Sequence, residues 1–500
     1  MQKNNRPNLK PGLREALRHL PLLVWLIPAV STTSPAEWYT RYPAYHPYCS
    51  TREDMKTRGI PEVADDPRLG ESRLLHASVI VRHGARTPWT ALDCWEGYVP
   101  KWDCNLTTYL ATPPPQRIKQ EEGYVSPDGQ SSVVLFEKRY DALQDEGDNL
   151  SNILNGTCQQ GQLILAGYEQ ELQNGQFLRQ AYVFDSKSSS SNHNARMKLL
   201  DTAESVDTLF QQLYYRVDDD QRTLMSGQVV LRGLLGPEMI DFWEKNNGKH
   251  PVLPLHTADR KVDIMDPNEG NCERLQEIRE RYRNSAEYQT FVQSNETKLL
   301  EKFWKDVLGR KLDAANDPYN NVLDCLFTTM CTDRELPEAL NDYDGNYTNL
   351  RHLQDDLDEN NITDAEDSGS DDERGSSDED ASGGYGKHLF QRFYRYGTKP
   401  YALVYEANNA EYSKLGMAPL WARIMSQIYA VTNEATNDCC PPLEGEPAKL
   451  ALYAGHDTTI MPILASLGPG VWDGEWPPYA LSLELRVSID LQWRNFDRSH

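Results

Sequence analysis

The chain has 500 residues and a formal net charge of −24, from 75 acidic and 51 basic residues. This charge argues against a nucleic-acid partner, which would require a basic surface. The length exceeds what one simple core usually holds, so we expect a main domain with an inserted second domain.

The N-terminus has the layout of a secretory signal. Basic residues at 3, 6, 10, 14 and 18 precede an apolar run from Leu20 to Val30, and small residues follow up to position 36. The run has about eleven residues, against the roughly twenty that span a bilayer. We therefore expect residues 1–36 to be a signal peptide, with a retained membrane anchor as the alternative because the basic region is long. The protein would be secreted or lumenal, in a vacuole, lysosome or Golgi compartment.

The first strong structural signal is the apolar run Leu74–Val81, which predicts a strand buried on both faces. Residues 82–88 follow it with the sequence Arg-His-Gly-Ala-Arg-Thr-Pro. In open α/β sheets, ligands bind outside the carboxyl ends of the strands. Arg82 and Arg86 offer donors that match phosphate oxygens, and the imidazole of His83 can attack phosphorus. The motif indicates a phosphate site, and the alternative is a solvated basic turn.

Two later strand ends carry related side chains. The short apolar run at 213–215 leads into Arg216, and Lys449–Gly455 predicts a buried strand that leads into His456 and Asp457. Three strand ends would thus supply arginines, two histidines and one carboxylic acid to the same crevice. Helical faces at 168–182 and 421–428 are predicted to belong to the core rather than to a ligand site.

The central part of the chain is unusually acidic. Residues 341–384 contain fifteen acidic residues and two arginines, and such a segment cannot bury enough apolar surface to fold. We expect it to be a disordered insertion in a mainly helical cap domain at 261–399, between the two parts of an α/β catalytic domain at 70–260 and 400–500. The alternative to a solvated loop is a regulatory or calcium-binding segment, although the spaced ligands of an EF-hand loop are absent.

Cysteines and glycosylation motifs fit an oxidising compartment. Nine cysteines are present, so several would pair and one would remain. Cys94 with Cys104 and Cys325 with Cys331 are candidates for short disulfide loops, but the sequence leaves the connectivity open, and the spacings do not support a zinc site. Six acceptor motifs predict a glycoprotein, and they are at Asn105, Asn149, Asn155, Asn295, Asn346 and Asn361.

Taken in order, the motifs resemble the histidine acid phosphatases, which include acid phosphatases, phytases and the xylose-phosphate phosphatase. The pattern Arg-His-Gly-x-Arg-x-Pro matches at 82–88. A second pattern, in which an Arg is followed after five residues by Arg-Thr-Leu-x-Ser, matches from Arg216, and His-Asp matches at 456–457. Lesser matches lie at 161–182 and 477–484. The resemblance covers the chain from about residue 70 and implies a phosphoglycerate-mutase-like α/β fold, with a mostly parallel sheet covered by helices.

The resemblance also implies an acid phosphatase mechanism for phosphomonoesters. His83 would be the nucleophile that forms a phosphohistidine, and Asp457 would be the proton donor. The phosphate would be bound by Arg82, Arg86, Arg216 and His456. Neither a metal nor another cofactor is required when these groups supply the positive charge. The alternative for Asp457 is an N-cap of the next helix.

The chain departs from the family pattern in three places. Thr458 and Thr459 follow the His-Asp pair where phytases usually carry an Asn, which argues against a phytase proper. Val217 and Asp218 replace the Ser-Thr of animal acid phosphatases, and the chain ends early, at His500. Two other functions therefore stay open, namely a phosphotransferase or phosphomutase that uses the same histidine, and a catalytically silent phosphate-binding protein. A membrane is a partner only if the N-terminal segment is retained as an anchor.

Overall fold

The fold is taken from a computed structural model. It describes residues 38–42, 44–62, 72–89, 94–98, 100–104, 109–112, 119–120, 123–124, 134–137, 154–188, 197–236, 253–309, 322–337, 340, 387–432 and 447–490. The chain divides into the units Met1–Trp38 and Tyr39–His500, and every element named below belongs to the second.

Strands predominate in the first part of this unit, and helices dominate the stretch before the last strands. The strands are β1 Ser72–Arg82, β2 Tyr109–Thr112, β3 Lys119–Gln120, β4 Gly123–Tyr124, β5 Val134–Glu137, β6 Val183–Phe184, β7 Leu200–Asp201, β8 Leu213–Val217, β9 Leu255–His256, β10 Leu450–Gly455 and β11 Ser482–Asp490. A 3-10 helix at Pro47–Cys49 precedes α1 Arg52–Lys56, α2 Leu165–Tyr182, α3 Val206–Gln211, α4 Gln221–Leu235, α5 Glu273–Arg283, α6 Ala286–Gln293, α7 Asn295–Leu308, α8 Val322–Cys331, α9 Lys387–Tyr405, α10 Ala407–Thr432 and α11 Asp457–Ser466.

The main sheet has five strands in the order β11-β1-β10-β8-β9. β1 pairs with β10, β10 with β8, and β8 with β9, all in parallel, whereas β11 pairs antiparallel to β1. The register aligns Arg82 with Gly455 and Ala454 with Val217. The three predicted strands therefore exist and end at one edge of the sheet, so that their following residues meet there.

Helices cover both faces of this sheet, as the alternation of its side chains requires. One core packs Val79 and Val81 of β1 against α2 and α4. The other packs Ile80 of β1 and Tyr453 of β10 against α10 and α11. The prediction of an α/β fold with a mostly parallel sheet covered by helices is confirmed.

The stretch between β9 and β10 is mainly helical where it is described. A third core joins α5, α9, the start of α10 and α11, and includes Ile278, Tyr401 and Tyr405. Asn408, Asn409 and Ala410 have φ values of 49°, 58° and 58°, so α10 is kinked near its start. The domain bounds stay a prediction, and the acidic insertion at 341–384 lies outside the described residues.

Disulfide pairing differs from the short loops suggested by the sequence. The bonds join Cys49 to Cys331, Cys94 to Cys325 and Cys104 to Cys158, across 282, 231 and 54 residues. The suggested pairs Cys94–Cys104 and Cys325–Cys331 are therefore wrong, because tertiary packing brings distant segments together. Cys272 is free, and Cys439 and Cys440 lie outside the described residues. Three disulfides are typical of a protein of the secretory pathway.

The described residues include only some of the predicted glycosylation and targeting signals. Of the six acceptor asparagines, Asn155 lies exposed in a loop and Asn295 starts α7, while the other four fall outside the described residues. The predicted signal or anchor at 1–36 also falls outside them. Within the described residues, no helix combines the length and apolar character needed to cross a membrane.

Candidate active site

A cavity of about 700 Å³ opens at the carboxyl edge of the parallel strands. Side chains that follow β1, β8 and β10 form its floor, and among them are His83, Arg86, Arg222, His456 and Asp457. Residues 259–270 and side chains of α8 and α9 complete the walls. The position agrees with the rule that ligands bind at this edge of an α/β sheet.

His83 follows the last residue of β1 and is almost fully buried. Its Nδ1 lies 2.9 Å from the carbonyl oxygen of Gly84. A carbonyl only accepts hydrogen bonds, so Nδ1 carries the proton and Nε2 keeps a lone pair. Burial lowers the pKa of His83 well below its usual value, and the charges of Arg82 and Arg222 lower it further. His83 is therefore a neutral imidazole, which is the form that acts as a nucleophile.

The loop after His83 is held by the start of α2. A Cβ atom on Gly84 would lie 2.4 Å from the carbonyl oxygen of Gly167, so only glycine fits there. The amide of Gly84 lies 3.3 Å from the hydroxyl of Ser226, to which it donates, and the amide of Ala85 donates to Gln170 over 2.9 Å. These contacts fix the direction of His83.

Arg82 is fully buried beneath the cavity. It donates to the hydroxyl of Tyr48 over 2.6 Å, to Asp457 over 2.7 Å and to the carbonyl of Pro477. Its guanidinium lies between the rings of Tyr48 and Tyr479, 4.7 and 4.6 Å from their centroids. Arg82 thus joins β1 to the proposed proton donor, and it is not among the described residues that line the cavity.

Arg86 lines the cavity and is paired with Asp324 of α8 over 2.7 Å. The other carboxylate oxygen of Asp324 accepts from the amide of Trp89 over 2.6 Å. Asp324 precedes Cys325, whose disulfide to Cys94 connects α8 to the segment after β1. This pair orients the guanidinium toward the floor.

The two arginines of the β8–α4 segment take different positions. The guanidinium of Arg216 lies 3.8 Å from Asp263 and outside the lining of the cavity. Arg222, in the first turn of α4, lines the cavity with Nη2 at 3.3 Å from Nδ1 of His456 and at 3.0 Å from Asp220. The structure therefore brings Arg222, rather than Arg216, next to the two histidines. The sequence pattern contained both residues but did not distinguish them.

His456 is the N-cap of α11 and is surrounded by acids. Its Nε2 is hydrogen-bonded to Asp218 and lies 3.4 Å from Asp220. Burial alone would lower the pKa of His456, but the carboxylate of Asp218 outweighs burial and raises the pKa to about 9. Asp218 therefore favours the protonated form of His456. Its ring centroid lies 5.4 Å from that of His83 at an interplanar angle of 71°, so the two imidazoles meet edge to face and differ in their preferred protonation state.

Asp457 is the first residue of α11, so the N-cap is His456 and not, as the alternative supposed, Asp457. Its Oδ2 accepts from Arg82 over 2.7 Å and from the indole of Trp476 over 2.9 Å, and its Oδ1 accepts from the amide of Thr458. Burial raises the pKa of Asp457, but Arg82 and His456 outweigh burial and lower it to about 2. The unliganded carboxyl is ionised.

Three side chains of the cavity are of the types that bind metal ions and lie close together. One ligand atom from each of Asp218, Asp220 and His456 falls within 4.8 Å of the others. The carboxylates already contact Nε2 of His456, and the positive charge of the protonated ring offsets their negative charge. The geometry is that of an ion pair that orients His456.

The sequence of the chain matches a known protein family. A family model of the histidine phosphatase superfamily (branch 2) matches residues 73–483. The chain belongs to this superfamily. The resemblance predicted from the three motifs is confirmed, and the protein is a phosphomonoester hydrolase of the histidine phosphatase type.

Individual proteins are similar to the chain at modest sequence identity. Counting factor 60 of Dictyostelium discoideum is 23% identical over 412 residues, which cover 82% of this chain and 76% of that protein. 2-Phosphoxylose phosphatase 1 of Homo sapiens is 27% identical over 53% of this chain and 48% of its own length. The solved phytase of Citrobacter braakii aligns with 83% of this chain and 81% of its own, with a TM-score of 0.41 and 14% identity.

Several residues of this histidine phosphatase site were not predicted from its sequence. They are Tyr48, Asp218, Asp220, Arg222, Asp324 and Trp476. Asp218 and Asp220 had a local signal, because both follow a strand end. Tyr48 and Trp476 had none, since their place at the site depends on long-range packing.

Proposed function

We propose that the chain hydrolyses phosphomonoesters through a phosphohistidine on His83, with Asp457 as proton donor. The observation that carries this proposal is the pairing of Nδ1 of His83 with the carbonyl of Gly84, on a cavity floor that also holds Arg86 and Arg222. It directs the lone pair of Nε2 to the position where a phosphate would be bound.

The phosphate would be bound by the cations that line the floor. Arg86, Arg222 and His456 are proposed as its ligands, because they surround His83 and are positively charged at neutral pH. Arg82 and Arg216, also predicted as ligands, would act one layer behind, Arg82 through Asp457 and Arg216 through Asp263. Catalysis then depends mainly on charge stabilisation around the transferring phosphoryl group.

In the first step, Nε2 of His83 attacks phosphorus and the bond to the ester oxygen breaks. The leaving alkoxide takes a proton from Asp457 and departs as an alcohol. In the second step, Asp457 accepts a proton from water, whose oxygen attacks the phosphohistidine and releases inorganic phosphate and neutral His83. Protons and charge balance over the cycle.

Because Asp457 is ionised before substrate binds, the proton that it donates must come from the substrate, which favours an acidic pH optimum. A phosphomonoester has a second pKa near 6, so below this pH it enters the cavity as a monoanion with one proton. The bound phosphate adds negative charge and offsets Arg82 and Arg86, which raises the pKa of Asp457. The proton of the substrate can then move to Asp457. Activity is expected to fall as the pH rises above about 6 because the substrate loses this proton.

The test is rapid-quench trapping with an aryl phosphate that carries labelled phosphorus. Wild type is expected to carry label that survives alkali and is lost in acid, as a phosphoramidate bond requires, and His83→Ala is expected to carry none. His256→Ala is the matched control, because His256 is exposed at the end of β9 and outside the lining of the cavity. Turnover without label on His83 would refute the covalent mechanism.

We further propose a place of action in the secretory pathway, secreted or lumenal. The disulfide between Cys49 and Cys331 supports it, because it holds Tyr48 next to Arg82 and so contributes to the site. Expression with and without residues 1–36 would test it: retention of the truncated chain in the cytosol, without activity, is expected.

A further inference from the structure

The upper wall of the cavity differs from its floor in charge. Among the described residues, three guanidiniums line the cavity, those of Arg86, Arg222 and Arg260. Nine carboxylates line it as well, those of Asp218, Asp219, Asp220, Asp259, Asp263, Asp266, Glu269, Asp324 and Asp457. A wall with one sign of charge raises the local concentration of ligands with the opposite sign.

Most of the carboxylates near the floor have cationic partners. Asp324 is paired with Arg86, Asp457 with Arg82, and Asp218 with His456. These acids position the phosphate ligands, and their charges are offset locally. They leave little net charge at the floor itself.

The carboxylates of the segment 259–266 are less well compensated. Oδ1 of Asp263 accepts from the amide of Met265 over 2.7 Å and lies 3.8 Å from Arg216, whereas its Oδ2 is buried without a hydrogen-bond partner among the described residues. Asp266 accepts from the hydroxyl of Thr459 over 2.8 Å, and burial raises the pKa of both Asp263 and Asp266, so that a cation bound beside them would stabilise their ionised forms. Asp259 is exposed at the mouth. Arg260 of the same segment also lines the cavity, so the excess of negative charge belongs to the lining as a whole, with nine carboxylates against three guanidiniums.

Aromatic rings contribute to the same preference. Trp89, Tyr401 and Trp476 line the cavity, and Trp89 is 54% exposed. The faces of such rings attract cations, most strongly where water is partly excluded. Carboxylates and aromatic rings together are the chemistry that recognises an ammonium group.

We propose that the preferred substrate is a phosphomonoester whose leaving group carries an ammonium charge, such as an amino-alcohol phosphate. The inference rests on the proposed function, because it assumes that the phosphate occupies the floor at His83. The ester group would then extend toward Asp259, Asp263 and Asp266. A substrate with several phosphates is disfavoured, since its further phosphates would face these acids.

The test compares phosphoethanolamine with 2-hydroxyethyl phosphate, which differ by an ammonium in place of a hydroxyl. Wild type is expected to show a kcat/KM ratio of about tenfold in favour of phosphoethanolamine at low salt, falling as salt is added. Because the ammonium also makes the alcohol a better leaving group, the decisive quantity is the change of this ratio in Asp259→Asn/Asp263→Asn. The ratio is expected to fall about fivefold or more in the double variant.

Asp306→Asn is the control, since Asp306 is exposed on α7 outside the cavity, and it should leave the ratio unchanged. If the double variant does not fold, the single variant at the exposed Asp259 and the salt dependence of wild type give the same test. An equal ratio in wild type and variants, or one that is independent of salt, would overturn the inference while aryl phosphate turnover upheld the proposed function. Loss of aryl phosphate turnover in wild type would overturn both.

Discussion

The two histidine loops of the site have the same backbone arrangement, but one favours a neutral imidazole and the other a protonated one. In each loop a backbone amide bonds to a helix hydroxyl, Gly84 to Ser226 over 3.3 Å and His456 to Thr459 over 2.9 Å. Behind each hydroxyl is a buried carboxyl whose pKa is raised by burial, Glu171 behind Ser226 and Asp266 behind Thr459.

The side chains around each ring make the difference. His83 is close to Arg82, Arg86 and Arg222, which keep it neutral, whereas His456 is bound by Asp218 and Asp220, which keep it charged. A strand end followed by histidine thus specifies a position, and residues from other elements specify the protonation state. The position and the protonation state of each histidine can be tested separately.

The largest expected effect is the loss of the neutral histidine. His83→Ala should lose at least ~10³-fold in turnover of an aryl phosphate, because removal of a nucleophile leaves only binding and charge stabilisation. His456→Ala should lose about 10²-fold and still trap label on His83, since it removes only charge stabilisation. Equal losses in steady-state assays, or an unlabelled His456→Ala, would contradict the assignment.

The second-largest effect on turnover is expected at Asp457, the proposed proton donor, which follows His456. Asp457→Asn is expected to lower turnover of an alkyl phosphate by ~10²- to 10⁴-fold, because the alkoxide then leaves unprotonated. The loss should be much smaller for nitrophenyl phosphate, whose leaving group needs no proton. The measurement is kcat/KM for a series of leaving groups, which reports the first step and not the hydrolysis of the phosphohistidine, and a uniform loss across the series would mean that Asp457 does not protonate the leaving group.

Behind the neutral histidine, Glu171 should affect stability. The pKa of its carboxyl is about 8 in the folded chain against 4.5 ordinarily, so the chain binds a proton on folding between these values. The free energy of unfolding should therefore fall by about 1.4 kcal/mol per pH unit as the pH rises from about 4.5 to 8.

Glu171→Gln cannot ionise and should lack this slope. Urea unfolding at pH 5, 6, 7 and 8 measures it, with Glu169→Gln, partly exposed on the same helix, as control. Parallel curves for wild type and Glu171→Gln would show that the carboxyl is ionised when buried.

The smallest effect concerns the charge of His456. Asp218→Asn removes the main cause of its raised pKa, and burial with Arg222 should then hold the imidazole neutral at pH 8. Inhibition by inorganic phosphate should weaken about tenfold at pH 8. It should hardly change at pH 5, where His456 is protonated in wild type and in Asp218→Asn. Asp207→Asn, exposed on α3, is the control. Equal weakening at both pH values would assign Asp218 a purely structural role.

Much of this site could be predicted from the sequence because its parts follow strand ends. The three strands were recognisable from apolar runs, and parallel pairing alone brings His83, Arg216 and His456 to one edge. The local sequence could not show that Arg216 faces Asp263, which lies 47 residues later, or that Arg222 enters the cavity from the first turn of α4. The short disulfide loops failed for the same reason, since pairing is decided by tertiary contacts.

The bond between Cys49 and Cys331 imposes an order on biosynthesis. Tyr48, which hydrogen-bonds to Arg82, belongs to a segment translated early, while its anchor in α8 is translated 282 residues later. At 5–20 residues per second, the ribosome needs roughly 15–55 s to cover that distance. During this interval the arginine beneath the active site has no fixed tyrosine beside it, so the nascent enzyme is inactive at least until residue 331 has been translated and the disulfide has been oxidised.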